Sequence, residues 1–451
     1  MRRILVIGAG FSGAVVAARL LREAQGPLEV CLVNGSGPVA RGMAYGTQSA
    51  DHCLNVPAGN MSAYDEDPGH FLRYAQTRLP HTGPGDFVPR ALYGDYLEHL
   101  LAEAERKASH ARLERRLRQV ERIEGGQRAY FNDGSVFVAD QIVLALGHFP
   151  STDPAIADPS FYRSARYLRD PWDTTQLSAI GANDPVLLLG TGLTAVDMSL
   201  SLLARNPARP ILAVSRRGLI PQAHRSAAHS PAAGDAHSIW GEAQGVRAQL
   251  RGLRNFCRAL EAAGRDWREA FAILRQCTAP LWEAYDLKQR RRFLRHVQPF
   301  WDTHRHRIAP QLAQRFQAAL DAGVIQIHAG RLQRIDEVDG MVTAWVRPRG
   351  QDALLPLQAR WVINCTGPSA DPRQASGGLV QQLLAEGRLC ADPLGLGINV
   401  APDYALRDAQ GNASDSLFYI GPWLKADFWE ATAVPDLRRI ARELAARLLR
   451  A

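Results

Sequence analysis

Two glycine-rich turns, each closing a short apolar run, constrain this chain more than any other feature. Gly8-Ala9-Gly10-Phe11-Ser12-Gly13 follows Ile4 to Ile7, and Gly190-Thr191-Gly192-Leu193-Thr194-Ala195 follows Val186 to Leu189. A strand that ends in such a turn and continues as a helix brings backbone close to a pyrophosphate. The new helix offers that pyrophosphate unpaired N–H groups and the positive end of its dipole. Three glycines in six residues also occur in ordinary loops, so one copy says little. The strand-turn-helix setting met twice predicts two dinucleotide sites on one chain. Two nucleotides on one chain point to electron transfer.

The surroundings of the two turns echo each other. Strand Ile4 to Ile7, helix Phe11 to Ala24 and strand Glu29 to Val33 open the first module, and a long loop, Asn34 to Asp67, interrupts it. Structureless connections beyond about 15 residues are uncommon in compact domains, so this loop is expected to serve the site. Helices around His70 to Arg78 and Tyr93 to Ala108 follow, then short strands with turns at Gly125-Gly126 and Asn132-Asp133-Gly134. A buried strand, Gln141 to Leu146, ends at Gly147. In the second module strand Val186 to Leu189, helix Leu193 to Leu203 and strand Ile211 to Val214 precede a Pro-, His- and Ala-rich segment to about Ala236. Helical patterns fill Trp240 to Ala322, strands resume at Val324 to His328 and Val342 to Val346, and strand Trp361 to Asn364 closes at Cys365-Thr366-Gly367. Each glycine turn is thus answered, much later, by an apolar strand that ends in glycine. A last strand, Leu417 to Ile420, reaches Gly421, and a closing helix runs from Val434 to Leu449.

The expected fold class is α/β, with two Rossmann-like dinucleotide-binding domains, the second inserted in the first. The first domain is expected over 1–160 and 360–451, the second over 161–359, with a helical insertion at about 237–322.

A chain of 451 residues with 46% hydrophobic and 22% charged residues has ample material for large cores, which excludes disorder. No apolar run approaches the ~20 residues a membrane span needs, and Met1-Arg2-Arg3 leads into a strand rather than a signal sequence. A cytoplasmic protein that does not engage membrane is the expectation. The six cysteines are scattered, without a C-x-x-C pair, which argues against a dithiol reductase, a zinc site and a disulfide framework. No metal site is expected. The net charge of +8 is read as solvated helix faces, such as Arg112 to Arg118 and Arg438 to Arg450, rather than a nucleic-acid surface.

The end of the second strand of each module addresses the ribose. Asn34 stands where an acidic residue is expected, and its amide can still bond a hydroxyl. Ser215, Arg216 and Arg217 stand at the equivalent place in the second module. Two guanidinium groups there suit a 2'-phosphate and favour NADPH over NADH, the alternative being solvated loop arginines.

This pairing resembles the two-dinucleotide-binding flavoproteins, among them flavin monooxygenases, N-hydroxylases and pyridine-nucleotide reductases of the glutathione-reductase-like fold. The resemblance implies FAD on the first turn and NADPH on the second, with Leu144-Ala145-Leu146-Gly147 and Asn364-Cys365-Thr366-Gly367 as the matching strand ends. A closer resemblance is to a large bacterial group of FAD/NAD(P)-binding proteins. It rests on Arg41-Gly42-Met43-Ala44-Tyr45, Leu54-Asn55-Val56-Pro57-Ala58-Gly59, Ser215-Arg216-Arg217-Gly218, Trp301-Asp302-Thr303-His304-Arg305-His306-Arg307 and Trp429-Glu430-Ala431-Thr432-Ala433-Val434-Pro435. One departure stands out. Related flavoproteins carry Gly-Asp after the last strand, the Asp bonding the ribityl chain, and this chain has Gly421-Pro422. Asn55, with backbone near Thr432 and Ala433, is then the expected support of the flavin, and the loop with Asn55, Met61 and Ser62 is expected over its ring.

The resemblance therefore implies cofactor contacts at Gly8, Gly10, Phe11, Ser12, Gly13, Asn34, Arg41, Asn55, Val56, Gly147, Gly421, Thr432 and Ala433 for FAD. For NADPH it implies Gly190, Gly192, Leu193, Thr194, Arg216, Arg217 and Gly367. Candidate catalytic residues are Asn55, His304, Arg305 and Glu430. If residues 301–307 are helical, Asp302 faces His306 and His304 faces Arg307. The cluster either holds a substrate or cofactor phosphate or clamps the helical insertion to the second module. Glu430 is an active-site carboxylate or a helix N-terminal residue. The expected activity is an NADPH-dependent FAD oxidoreductase, favoured as a monooxygenase of a small molecule using molecular oxygen, because no dithiol offers another acceptor. The alternatives are a reductase with an organic or protein acceptor, and a non-catalytic redox sensor.

Overall fold

The computed structural model describes residues 1–47, 49–225, 234–375 and 378–450. Residues 226–233, part of the Pro-, His- and Ala-rich segment of the second module, lie outside them. The chain forms two units, Met1–Phe149 with Ser369–Ala451, and Pro150–Pro368.

The first unit is built on a six-stranded sheet. Its order is Ala405–Arg407, Ala413–Tyr419, Gln141–Leu144, Arg2–Ile7, Leu28–Val33 and Ala111–Arg116. All neighbours are parallel except the first pair. The inner strands read as continuous apolar runs because Ile4–Ile7, Leu28–Val33 and Gln141–Leu144 are buried at every residue, leaving no solvent face to demand alternation. Helix Phe11–Glu23 is buried from Phe11 to Leu21, and its alanines let the sheet and helices Arg90–Lys107 and Val434–Arg450 approach closely. Register then decides where the site lies. Ile7 pairs with both Val33 and Leu144, and Leu144 pairs with Tyr419, so four strands end at one level. Gly8, Asn34, Ala145 and Ile420 all leave the sheet along that edge.

Residues 112–118 depart from the helix expected there. Ala111–Arg116 is the outermost strand, and its charged residues keep a sheet edge from recruiting another chain. All three of its arginines are paired: Arg112 with Glu29, Arg115 with Glu105 and Arg116 with Glu114.

The second unit repeats the plan. Its seven-stranded sheet runs Leu355–Ala359, Met341–Pro348, Ile325–Val338, Ile211–Ser215, Val186–Leu189, Trp361–Asn364 and Tyr167–Leu168. Leu189 pairs with Val214 and with Asn364, so Gly190, Ser215 and Cys365 share one edge, as in the first unit. Helices Ala236–Trp240 to Pro310–Asp321 fill the connection between the parallel strands Ile211–Ser215 and Ile325–Val338. The last of these strands turns into an antiparallel hairpin at Asp339-Gly340, whose φ values of 50° and 72° give the turn the twist a hairpin needs.

Candidate functional site

Each glycine turn is shaped by close backbone contact. Gly8 has φ +106°, and a β carbon there would stand 2.1 Å from the Ala145 carbonyl oxygen. One on Gly13 would stand 1.8 Å from the Gly8 carbonyl oxygen. The second turn reproduces this: Gly190 has φ +119°, and its β carbon would stand 2.4 Å from the Cys365 carbonyl oxygen. The hydrogen bonds match as well. Gly8 N–H donates to Val33 and Gly190 N–H to Val214, at 2.9 and 2.8 Å. Ala145 N–H donates to Ile7 and Cys365 N–H to Leu189, at 2.7 and 2.8 Å.

Both turns open onto helix ends suited to an anion. Gly10 and Gly192 are the N-caps, with no side-chain cap and no acidic residue in the first turn. The first intrahelical bonds are Ala14 N–H to Gly10 and Val196 N–H to Gly192. The N–H groups of Phe11, Ser12 and Gly13, and of Leu193, Thr194 and Ala195, precede those bonds. Around Gly192 a β carbon would meet nothing within 4 Å. That is an open approach to bare backbone, and the residues present fit a dinucleotide pyrophosphate at each turn.

The strand ends beside the turns differ. Asn34 donates through Nδ2 to the carbonyls of Ser36 and Gly37, at 2.9 and 2.7 Å, which leaves its Oδ1 out of these bonds. Ser215 binds Thr191 of the glycine turn at 2.8 Å, and Thr191 donates to the Leu219 carbonyl. Thr191 has spent its only hydrogen there, so Ser215 is the donor to Thr191, and Ser215 accepts the Gly218 N–H at 3.1 Å. This four-residue tie, for which the sequence carries no motif, fixes the loop that presents the two arginines. Arg216 is exposed and makes no ion pair among the described residues. Arg217 is half-buried, donates to the Arg295 carbonyl at 3.0 Å and lies over the Phe300 ring. The two arginines are therefore not equivalent.

Arg41 ties the long loop to helix Arg90–Lys107 through Glu98, at 2.6 Å, and through Asp95. Gly42 passes so close to the first turn that its β carbon would stand 3.1 Å from the Gly10 α carbon. Asn55 and Val56 are half-buried between Leu54, whose N–H donates to Val88, and Ala58, whose N–H donates to Asp86. Farther along, Arg19 holds the loop from beneath. It is 1% exposed and pairs with Asp65 at 2.8 Å and Glu66 at 2.7 Å, while Arg438 donates to the Ser62 carbonyl. A charge in the middle of an otherwise apolar helix, Phe11 to Leu21, was the available signal for this anchor.

Gly147 and Gly367 both have left-handed backbone, φ +70° and +90°, with open space where a side chain would go. Gly421 has φ +149° above the Tyr419 hydroxyl, and Pro422 begins a short helix. Thr432 and Ala433 direct their N–H groups to the Glu430 carbonyl, at 2.7 and 3.1 Å, just before helix Val434–Arg450, and Glu430 itself is buried.

His304 and Arg305 lie in the helical segment of the second unit. Helix Gln298–Arg305 ends before His306, so His304 and Arg307 do not form the helical pair expected from their spacing. His304 Nδ1 sits 2.8 Å from the Phe300 carbonyl, and its ring packs against Phe271 and Trp267. Asp302 does approach His306, at 3.9 Å. The segment also ties the insertion to the loop that follows strand Ile211–Ser215: Gln222 N–H donates to Thr303 and Ile308 N–H to Gln222, at 2.8 and 2.9 Å. Among the described residues no group of three or more His, Cys, Asp or Glu is placed to hold a metal ion, and no helix is long and apolar enough to cross a membrane.

Comparison with known proteins follows this geometry. Residues 5–149 match a family model described as FAD-NAD(P)-binding. No curated protein sequence is similar enough to count as a relative. Solved structures are similar over the whole chain. L-lysine 6-monooxygenase from Pseudomonas syringae has TM-score 0.67 at 15% identity, covering 100% of this chain and 99% of that one. Ornithine N-hydroxylase from Kutzneria sp. 744 has TM-score 0.65 at 14% identity, covering 99% and 98%. The cadaverine monooxygenase of desferrioxamine biosynthesis from Erwinia amylovora has TM-score 0.65 at 12% identity, covering 99% and 94%. The chain thus shares over its full length the fold of flavin N-hydroxylases that carry two dinucleotide-binding domains, and its first 149 residues include a FAD-NAD(P)-binding segment.

Proposed function

We propose that this protein is an NADPH-dependent FAD oxidoreductase that acts as a monooxygenase on a small molecule, with an amine nitrogen as the favoured position. The observation that carries the reading is the duplicated turn. Gly8 against Ala145 and Gly190 against Cys365 have the same backbone contacts and the same hydrogen bonds, each beneath an uncapped helix N-terminus. The fold shared with ornithine, lysine and cadaverine hydroxylases supports the choice of oxygen chemistry and of an amine. When bound, such a cofactor pair supplies two-electron reduction and a route to oxygen.

The chain's own contribution is binding and orientation. The N–H groups of Phe11, Ser12 and Gly13 hold the FAD pyrophosphate, and Asn34 Oδ1 accepts from a ribose hydroxyl. The N–H groups of Leu193, Thr194 and Ala195 hold the second pyrophosphate. Arg216, exposed and without a carboxylate partner, takes the 2'-phosphate, while Arg217 braces the loop through Arg295 and Phe300. Asn55 and the backbone at Thr432 and Ala433 support the flavin in place of the missing aspartate, and Gly147, Gly367 and Gly421 keep the strand ends clear of side chains.

The test is Arg216→Ala. Kd for NADP⁺ should rise about tenfold, equivalent to about 1.4 kcal/mol, with that for NAD⁺ unchanged. An unchanged preference would remove Arg216 from this role.

A further inference from the structure

Arg307 makes no ion pair among the described residues of the second unit. It follows helix Gln298–Arg305 in the stretch clamped to residues 222–224, so its position is set by backbone hydrogen bonds on both sides: Gln222 N–H to Thr303 and His224 N–H to Ile308, at 2.8 and 2.9 Å. The guanidinium lies 5.8 Å from the centre of the Trp267 ring, which also carries Arg268 at 4.5 Å. Its Nε is enclosed and donates no hydrogen bond. The carboxylates nearby are taken. Asp266 pairs with Arg225 at 3.0 Å and with Arg268 at 3.0 Å, and Glu269 pairs with Arg225 at 3.4 Å and with Arg265. Arg225, Arg265 and Arg268 thus occupy the two carboxylates, and among the described residues Arg307 has no ion-pair partner.

Such an arrangement is costly in the absence of an anion. Burial pushes the Arg307 pKa down to about 10, and Arg305, Arg268 and Arg225 push it the same way, with Asp266 opposing them. A half-buried cation among other cations is destabilising by itself and becomes favourable when a charged partner completes it. The planar fork of arginine, laid over an aromatic face, suits a carboxylate or phosphate held by paired hydrogen bonds.

We infer that Arg307, seated over Trp267, anchors a site for the carboxylate or phosphate group of a small-molecule ligand, separate from the 2'-phosphate position at Arg216. The inference stands apart from the oxygen chemistry proposed above. It tests with inorganic phosphate as the probe, titrated by calorimetry and thermal unfolding into the full chain and its Arg307→Gln, Arg307→Lys and Arg216→Ala variants. In anion-free buffer Arg307→Gln should unfold no earlier than the parent. Phosphate should raise the parent's midpoint saturably, and binding should weaken about tenfold in Arg307→Gln, less in Arg307→Lys, and not at all in Arg216→Ala. NADP⁺ affinity should be unchanged in Arg307→Gln. Phosphate binding that survives Arg307→Gln intact overturns the site. A parallel loss of NADP⁺ and phosphate affinity in that variant also overturns it, since the anion would then belong to the dinucleotide.

Discussion

Two glycines two residues apart should respond in opposite ways to the same methyl group. At Gly190 the backbone is left-handed, φ +119°, and a β carbon would stand 2.4 Å from the oxygen and 2.7 Å from the carbon of the Cys365 carbonyl. Both obstacles are backbone in a strand hydrogen-bonded to Leu189, so no side chain can rotate away. The backbone strain costs about 1–3 kcal/mol and the forced separation a similar amount. Gly190→Ala should therefore lose about 2–6 kcal/mol, much of a typical domain's stability. Gly192 has φ −81° and ψ −167°, which alanine adopts, and nothing lies within 4 Å. Replacing an N-cap glycine by alanine costs under about 1 kcal/mol, and the lower entropy of the unfolded chain offsets part of it. Gly192→Ala should fold as the parent does. Its methyl would stand where bare backbone meets the pyrophosphate, so Kd for NADP⁺ should rise about tenfold or more. Urea unfolding reports the first effect, read as separate transitions for two units where they separate, and calorimetry with NADP⁺ reports the second. A Gly192→Ala protein that binds NADP⁺ as the parent does, or a Gly190→Ala protein of parental stability, would refute the reasoning.

Other outcomes follow from the same structure. Arg19→Met removes the buried guanidinium beneath Asp65 and Glu66, and should lower stability by about 1–3 kcal/mol and speed proteolysis within residues 61–67, measured by urea midpoint and limited digestion. Arg217→Ala should change NADP⁺ affinity less than Arg216→Ala, since its guanidinium is spent on the Arg295 carbonyl. Acid should destabilise the protein. Burial would raise the pKa of Glu66, Glu443, Asp153 and Asp266, but Arg19, Tyr404 with Arg439, Arg169 with Tyr167, and Arg268 with Arg225 outweigh it and hold these carboxylates below their ordinary values. Their folded pKa lies below the unfolded one, so the unfolded chain takes up protons first as pH falls. The stability is complete above about pH 5 and is lost as pH drops through the folded values, which chemical unfolding between pH 6 and 3 would show as a falling midpoint.

The glycine turns were legible because their requirement is local: a positive φ and a close carbonyl admit one residue type, wherever the chain goes next. The partner of each turn was legible only as an echo, since the register that sets Ala145 over Gly8 and Cys365 over Gly190 belongs to the sheets. Arg112 to Arg118 was read as a helix face, and its unbroken charged run Glu114 to Arg116 hides the alternation that marks a strand. Asp339-Gly340 between Val338 and Met341 carried a hairpin signal that was not drawn out. The pairing inferred for His304 and Arg307 assumed a continuous helix, and the chain leaves that helix at Arg305 to pair with residues 222–224. Spacing predicts which side chains share a helix face only where the helix exists. The difference between Arg216 and Arg217 was beyond the sequence, because it depends on Arg295 and Phe300 being brought to one of them.

The central claim is that one chain carries FAD and lets NADPH reduce it. An anaerobic visible spectrum of the purified protein, taken before and after NADPH and again after air is admitted, tests it most directly. The account predicts a bound flavin whose colour is lost with NADPH, much more slowly with NADH, and returns with oxygen. A protein that holds no flavin, or one whose flavin keeps its colour in excess NADPH, would contradict it.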